Sequence, residues 1–163
     1  MSKDRQSRMD LARNLKIDSV SRLFPTPPHQ IAPDRSVADA IARMRQHRVG
    51  CLLVCRDDAL IGIVTERDVM RRVIARDLPM DTRVAECMTP DPVTVHAKES
   101  IRTAIERMEQ GGYRHLPVLD EQKRLVGILS IKRIVHYLVE HFPATVYNQP
   151  PIPGAVPNKR EGA

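Results

Sequence analysis

The chain contains the same pattern twice. At an offset of 64 residues Val20 falls on Val84, Pro28 on Pro92, Ser36 on Ser100 and Ala40 on Ala104. Ile41, Arg43 and Met44 likewise fall on Ile105, Arg107 and Met108. One inserted residue in the Gln110-Gly111-Gly112 turn shifts the offset to 65, after which Leu60 matches Leu125, Gly62 matches Gly127 and Ile63 matches Ile128. Matches in this order require two copies of one structural plan. A unit of about 60 residues buries only about 60% of its unfolded surface and is marginal alone, so the two copies are expected to pack sheet to sheet as one body.

Each copy reads the same way. A Pro-rich lead-in (Pro25 to Pro28; Pro90 to Pro92) cannot be helix interior and runs into a short extended segment ending at Ile31 or Val95. Ser36 and Ser100 stand as helix N-caps before apolar residues at helical spacing, Val37, Ile41 and Met44 in one copy and Ile101, Ile105 and Met108 in the other. Two strands follow, Cys51 to Val54 and Leu60 to Val64, joined at Asp57-Asp58. Their counterparts are Leu116 to Leu119 and Leu125 to Leu129, joined by Asp120 to Lys123. A helix over 66–76 or 131–141 closes the unit. The fold class is therefore α+β, two β-α-β-β-α units related by a pseudo-twofold, with an extended Pro-rich C-terminal tail. The domain boundaries are 1–17 for an N-terminal arm or short amphipathic helix, 18–80 and 81–141 for the two units, and 142–163 for the tail.

Composition removes several classes. With 163 residues, 42% hydrophobic and 28% charged, the chain has the make-up of a globular protein that can build a core. Aromatic residues are only 3% and Trp is absent, which argues against a surface that stacks bases. The net charge of +6 favours anionic partners, but the basic residues are spread along the chain and form no stripe, so nucleic acid is not the expected one. Residues 1–10 are polar and the apolar run Val49 to Cys55 is too short to cross a bilayer. The reading is a cytoplasmic chain with no membrane partner. Three cysteines make no disulfide framework, and Cys51 and Cys55 read as buried free thiols without metal partners nearby.

The chemistry concentrates in Gly62-Ile63-Val64-Thr65-Glu66-Arg67-Asp68. A β-branched strand ends there and a helix begins, so Thr65 lies where unsatisfied backbone donors and a partial positive charge face an anion. A carboxylate three residues on can accept from a sugar diol. The same Thr-x-x-Asp spacing is also a capping box, and the residues alone leave both readings open. The second copy, Gly127-Ile128-Leu129-Ser130-Ile131-Lys132-Arg133, keeps the glycine and the hydroxyl but has Arg133 in place of Asp68.

These motifs, with Tyr113-Arg114-His115-Leu116-Pro117-Val118-Leu119-Asp120 and Val84-Ala85-Glu86-Cys87-Met88-Thr89-Pro90, resemble a tandem pair of cystathionine-β-synthase (CBS) domains, a Bateman module, over about residues 18 to 141. The resemblance implies clefts between the units that take AMP, ADP, ATP, NAD or S-adenosylmethionine as regulatory ligand, and a homodimer. By that resemblance Thr65 bonds ribose or phosphate, Asp68 accepts from the ribose hydroxyls, Arg67 reaches phosphate, and Thr89, Val93 and Thr94 meet base and sugar. In the second cleft Ser130 keeps the hydroxyl, whereas Arg133 departs from the family's carboxylate. Arg133, Lys132, Arg114 and His115 there neutralise phosphate, or the cleft is empty and Arg114 and His115 are a solvated strand end.

No Ser-His-Asp order, HExxH or P-loop is present, and the expectation is a non-catalytic sensor that passes ligand occupancy to an unidentified protein target. The alternative is a ligand-free dimerisation or assembly module. Five prolines between Phe142 and Pro157 exclude a long helix, so this segment is expected to be extended, either docked through Phe142, Val146, Tyr147 and Ile152 or free.

Overall fold

The computed structural model describes residues 3–147. Helix α1 (Lys3–Ile17) comes first, which decides the N-terminal arm in favour of a helix; its Leu11 and Leu15 pack on the core of the second repeat. The first repeat then runs β1 (Gln30–Ile31), α2 (Val37–His47), β2 (Cys51–Arg56), β3 (Ala59–Thr65) and α3 (Glu66–Asp68). After a lead-in of α4 (Val84–Cys87) and β4 (Thr89–Pro90), the second runs β5 (Val95–His96), α5 (Ile101–Gly111), β6 (His115–Leu119), β7 (Leu125–Ser130) and α6 (Ile131–His141), and α7 (Pro143–Tyr147) follows. Each repeat therefore has the β-α-β-β-α order.

The caps are where the hydroxyls stood in the sequence. Ser36 Oγ accepts from the Asp39 amide at 3.0 Å and Ser100 Oγ from the Thr103 amide at 3.1 Å, each satisfying an otherwise unpaired donor of the first turn. Both hairpins are antiparallel, and each shifts register at an equivalent point, Val54/Cys55 and Val118/Leu119. Asp57 and Asp58 have φ of 48° and 62°, the left-handed pair that a two-residue type I′ turn requires.

The lead-ins are exchanged between the repeats. Strand β4 belongs to the second repeat yet pairs with β3 of the first, Thr89 opposite Ile63 and Pro90 opposite Gly62. Reciprocally, Thr26 of the first lead-in bridges Ile128 of β7, with N–H···O distances of 3.0 and 2.9 Å. The cores follow the same exchange. Val84 and Cys87 are buried with the first repeat, Val20 and Leu23 with the second. A third cluster of Cys51, Leu53, Cys55, Ile63 and Ile128, flanked by Leu60 and Leu125, joins sheet to sheet. Burying a Val or Leu contributes about 1.5–3 kcal/mol, so neither repeat keeps its core without the other.

Three expectations need correction. The residue inserted in the second copy lies in its hairpin turn and not at Gln110-Gly111-Gly112: Cys51 pairs with Thr65 and His115 with Ser130, so the offset stays 64 along β6 and becomes 65 only at β7. The helix expected over 66–76 is not uniform: α3 widens into a π-helical stretch (Val69–Val73) and ends in a 3-10 turn (Ile74–Arg76). The tail is not extended where it begins. Pro143 opens α7, because a proline at the first helical position removes an N–H that has no intrahelical partner in any case. Phe142 and Thr145 are buried, whereas Tyr147 is exposed. Ile152 and the remaining prolines lie outside the described residues. Among the described residues no helix is long and apolar enough to cross a membrane.

Candidate functional site

The two helix mouths that follow β3 and β7 open on one cleft of about 700 Å³ between the repeats. Both mouths are anchored alike: the Glu66 amide donates to Gly50 O at 3.1 Å and the Ile131 amide to Arg114 O at 2.9 Å. At the first, Thr65 Oγ1 and the Thr65 amide both donate to Asp68 Oδ2, at 2.7 and 2.9 Å. The Asp68 amide donates back to Thr65 Oγ1 at 3.2 Å, so the capping box is complete. Among the described residues Asp68 Oδ1 meets Arg72 Nε alone, at 3.5 Å, which leaves that oxygen with unused acceptor capacity. The capping reading is thus realised, and it fixes the carboxylate in the cleft wall.

Of the residues singled out by sequence, Thr65, Arg67, Asp68, Thr89, Val93, Arg114, His115, Ser130 and Lys132 all line this cleft. Thr94 and Arg133 do not. Alternation along an extended segment turns Thr94 away from its neighbour Val93: it lines a smaller cavity with Asp58, Leu60 and Lys123, and its carbonyl accepts from Arg107 Nη1 at 2.8 Å. Arg133 is exposed outside the cleft, with its amide 3.4 Å from Ser130 Oγ.

The lining also contains residues that the sequence reading missed, notably His29, Arg48, Glu66, Asp91 and Tyr113. Arg48 ends α2 in the left-handed region, φ 54°, where the second repeat has Gly112 at φ 64°. A bulky residue at a glycine position of the other copy was the available signal. Arg48, Arg67, Arg114 and Lys132 make no side-chain hydrogen bond or ion pair among the described residues, and all four are exposed. Burial lowers the His115 imidazole below its usual range, helped by Arg114 and opposed by Glu66. Burial, then the charge on Glu66, pushes the Cys51 thiol up to about 12. Such a cleft offers cations without partners among the described residues, the Asp68 carboxylate oriented by its own cap, the further carboxylates of Glu66 and Asp91, and an imidazole whose charged form burial disfavours. No group of three or more His, Cys, Asp or Glu side chains suited to a metal ion occurs among the described residues.

A pseudo-twofold pair of α+β units with exchanged lead-ins around a shared cleft defines a tandem-repeat class of protein. The sequence model for the CBS domain matches residues 20–75 and again 84–140, and the chain belongs to the CBS domain family. It is 31% identical over 122 residues to an uncharacterised 17.7 kDa protein of Acidianus ambivalens, covering 74% of this chain and 73% of that one. Longer relatives exist: the match to the CBS domain-containing protein CBSCBSPB5 of Arabidopsis thaliana covers 23% of its length. Among solved structures, a putative signal-transduction protein with CBS domains from Burkholderia ambifaria MC40-6 superposes with a TM-score of 0.67 at 34% identity, covering 80% of this chain and 93% of that one. CBSX2 in complex with AMP superposes with a TM-score of 0.62 at 27% identity, covering 75% of this chain and 96% of that one.

Proposed function

We propose that the cleft holds one adenosine-containing ligand, of the class of AMP, ADP, ATP, NAD or S-adenosylmethionine, and that the chain is a non-catalytic regulatory module. The observation that supports the reading is the Thr65–Asp68 pair at one helix mouth on the cleft, in which Oδ2 takes the cap and Oδ1 is left as the acceptor for a sugar diol. The cations Arg48 and Arg67 lie on the same rim for phosphate, while Thr89 and Val93 supply the wall against base and sugar. At the other mouth Lys132 and Arg114 offer charge but no carboxylate stands in the first turn of α6, so ribose is held once per chain. The AMP complex of CBSX2 supports the ligand class.

The module acts as a homodimer in this reading. Met70 and Val135 occupy equivalent positions of the two repeats and are 58% and 51% exposed, and Ile74 and Ile131, four residues along from each, are exposed too. Light scattering on the purified chain tests this; a monomer at micromolar concentration contradicts it.

Thermal melting against the five ligands tests the ligand class. A ligand at 100 times its Kd adds about 2.7 kcal/mol, a shift of several degrees for a body of this size. The assembly reading is favoured by one observation, that Asp68 Oδ2 is already occupied by Thr65. It predicts no shift with any of the five, together with a dimer.

A further inference from the structure

Arg72 ties the first repeat's helix mouth to the second repeat's exchanged lead-in. Its guanidinium meets three acceptors: Nε lies 3.5 Å from Asp68 Oδ1, and Nη1 donates to Cys87 O at 3.0 Å and to Met88 O at 2.5 Å. Asp68 belongs to the helix mouth of the first repeat. Cys87 ends α4 of the second repeat's lead-in and Met88 is its C-cap, immediately before Thr89, which lines the cleft from β4, the strand beside β3. Carbonyls at the end of a helix have no intrahelical donor, so this guanidinium satisfies groups that would otherwise need solvent. Its planar, multi-donor geometry spans the carboxylate and the carbonyls at once, which an ammonium cannot do.

The second repeat supports a specific role. At the positions equivalent to Asp68 and Arg72 it has Arg133 and Tyr137. The Tyr137 hydroxyl donates to Asp18 beside the first lead-in, so the tie from helix to exchanged lead-in is kept. The tie to a cleft carboxylate is not. The two differences occur together: where the carboxylate is absent, so is the arginine four residues on that would orient it. The π-helical stretch Val69–Val73 also surrounds Arg72 alone, whereas α6 is regular.

We infer that Arg72 is a positioning residue, which orients Asp68 toward the sugar and fixes the distance from that carboxylate to the Thr89–Val93 wall. The inference rests on the adenosine-ligand reading for its effect on binding, but not for its effect on the wall.

The test compares the wild-type chain with Arg72→Gln and Arg72→Lys. Calorimetry with AMP and with 2′,3′-dideoxy-AMP is combined with hydrogen exchange of the Thr89 and Asp91 amides without ligand. Arg72→Gln should weaken AMP about tenfold, the effect of losing a charged hydrogen-bonding partner, while dideoxy-AMP, which has no diol for Asp68, changes about twofold or less. The Asp91 amide, bonded to Ile61 O at 3.1 Å, should exchange faster in both variants, because lysine keeps the charge but not the bridge. Arg72→Lys should regain most of the AMP affinity. Equal losses for the two nucleotides, or unchanged exchange in a variant that melts like the wild type, overturn the inference. If the wild-type chain binds neither nucleotide, the ligand reading fails, and the exchange result alone decides whether Arg72 braces the wall.

Discussion

Thr65 and Asp68 hold each other through reciprocal bonds, Thr65 Oγ1 donating to Asp68 Oδ2 at 2.7 Å and accepting from the Asp68 amide at 3.2 Å. The carboxylate is therefore both a cap and a wall of the cleft, and its two roles separate by measurement. Asp68→Ala should cost about 1 kcal/mol of stability through the lost cap. It should also cost about 1.5–3 kcal/mol of nucleotide affinity, the range for a hydrogen bond to a charged group. Urea denaturation reads the first and calorimetry the second. Loss of stability with affinity per folded molecule intact would leave Asp68 as a cap only.

The glycines at the exchanged lead-ins should not tolerate a side chain equally. A Cβ on Gly127 would lie 2.8 Å from Pro25 Cβ and 3.3 Å from Thr26 O. On Gly62 it would lie 2.4 Å from Sδ of the flexible Met88 side chain and 3.2 Å from Thr89 O, so the difference between the two sites lies in the side chain met, a ring or a thioether. Gly127→Ala should lose about 1–3 kcal/mol, as overpacking against a rigid ring does, and Gly62→Ala less. The urea midpoints of the two variants check the order; equal midpoints would mean that the first lead-in moves as freely as Met88.

Much of this was legible in the sequence and some was not, for identifiable reasons. Ser36 and Ser100 announced their helices because a cap acts within three residues, and the hairpins showed as paired apolar runs. The pairing of Thr89 with Ile63 left no such trace, since two residues of strand have no period. Gly62 and Gly127 were its only sign, two chain crossings that exclude a Cβ. Thr65 and Asp68 were readable as a motif, whereas Thr94 failed because a resemblance carries a position across and not the face on which its side chain lies. Arg48 reaches the cleft from the junction before β2, where no motif marks it, and Tyr113 from the junction before β6, where it opens a motif that was read for the family and not for the site.

Stability should fall as the pH drops below the ordinary imidazole value of 6.5. Burial holds His115 below its ordinary value of 6.5, and burial together with His47 and Arg43 does the same to His29. The unfolded chain therefore binds more protons than the folded one in that range. The contribution is complete above the unfolded value and is lost as pH falls through the lowered folded values. Replacing both residues by Gln should flatten the pH profile of the urea midpoint; an unchanged slope contradicts the assignment.

The thiols should be silent in the native protein. All three cysteines are free and buried, burial raises Cys55 and Cys87, and Cys51 stands at about 12. Because the thiolate is the reactive form, a disulfide reagent at about pH 8 should modify none of them until denaturant is added. Rapid labelling of Cys51 in the folded chain would show the cleft floor open.

Calorimetric titration of the full chain with AMP, ATP, NAD and S-adenosylmethionine, repeated on Asp68→Asn, tests the central claim most directly. At least one of these ligands should bind with one site per chain, and Asp68→Asn should weaken it about tenfold or more. Absence of binding by all four, two equal sites per chain, or an affinity indifferent to Asp68 would contradict it.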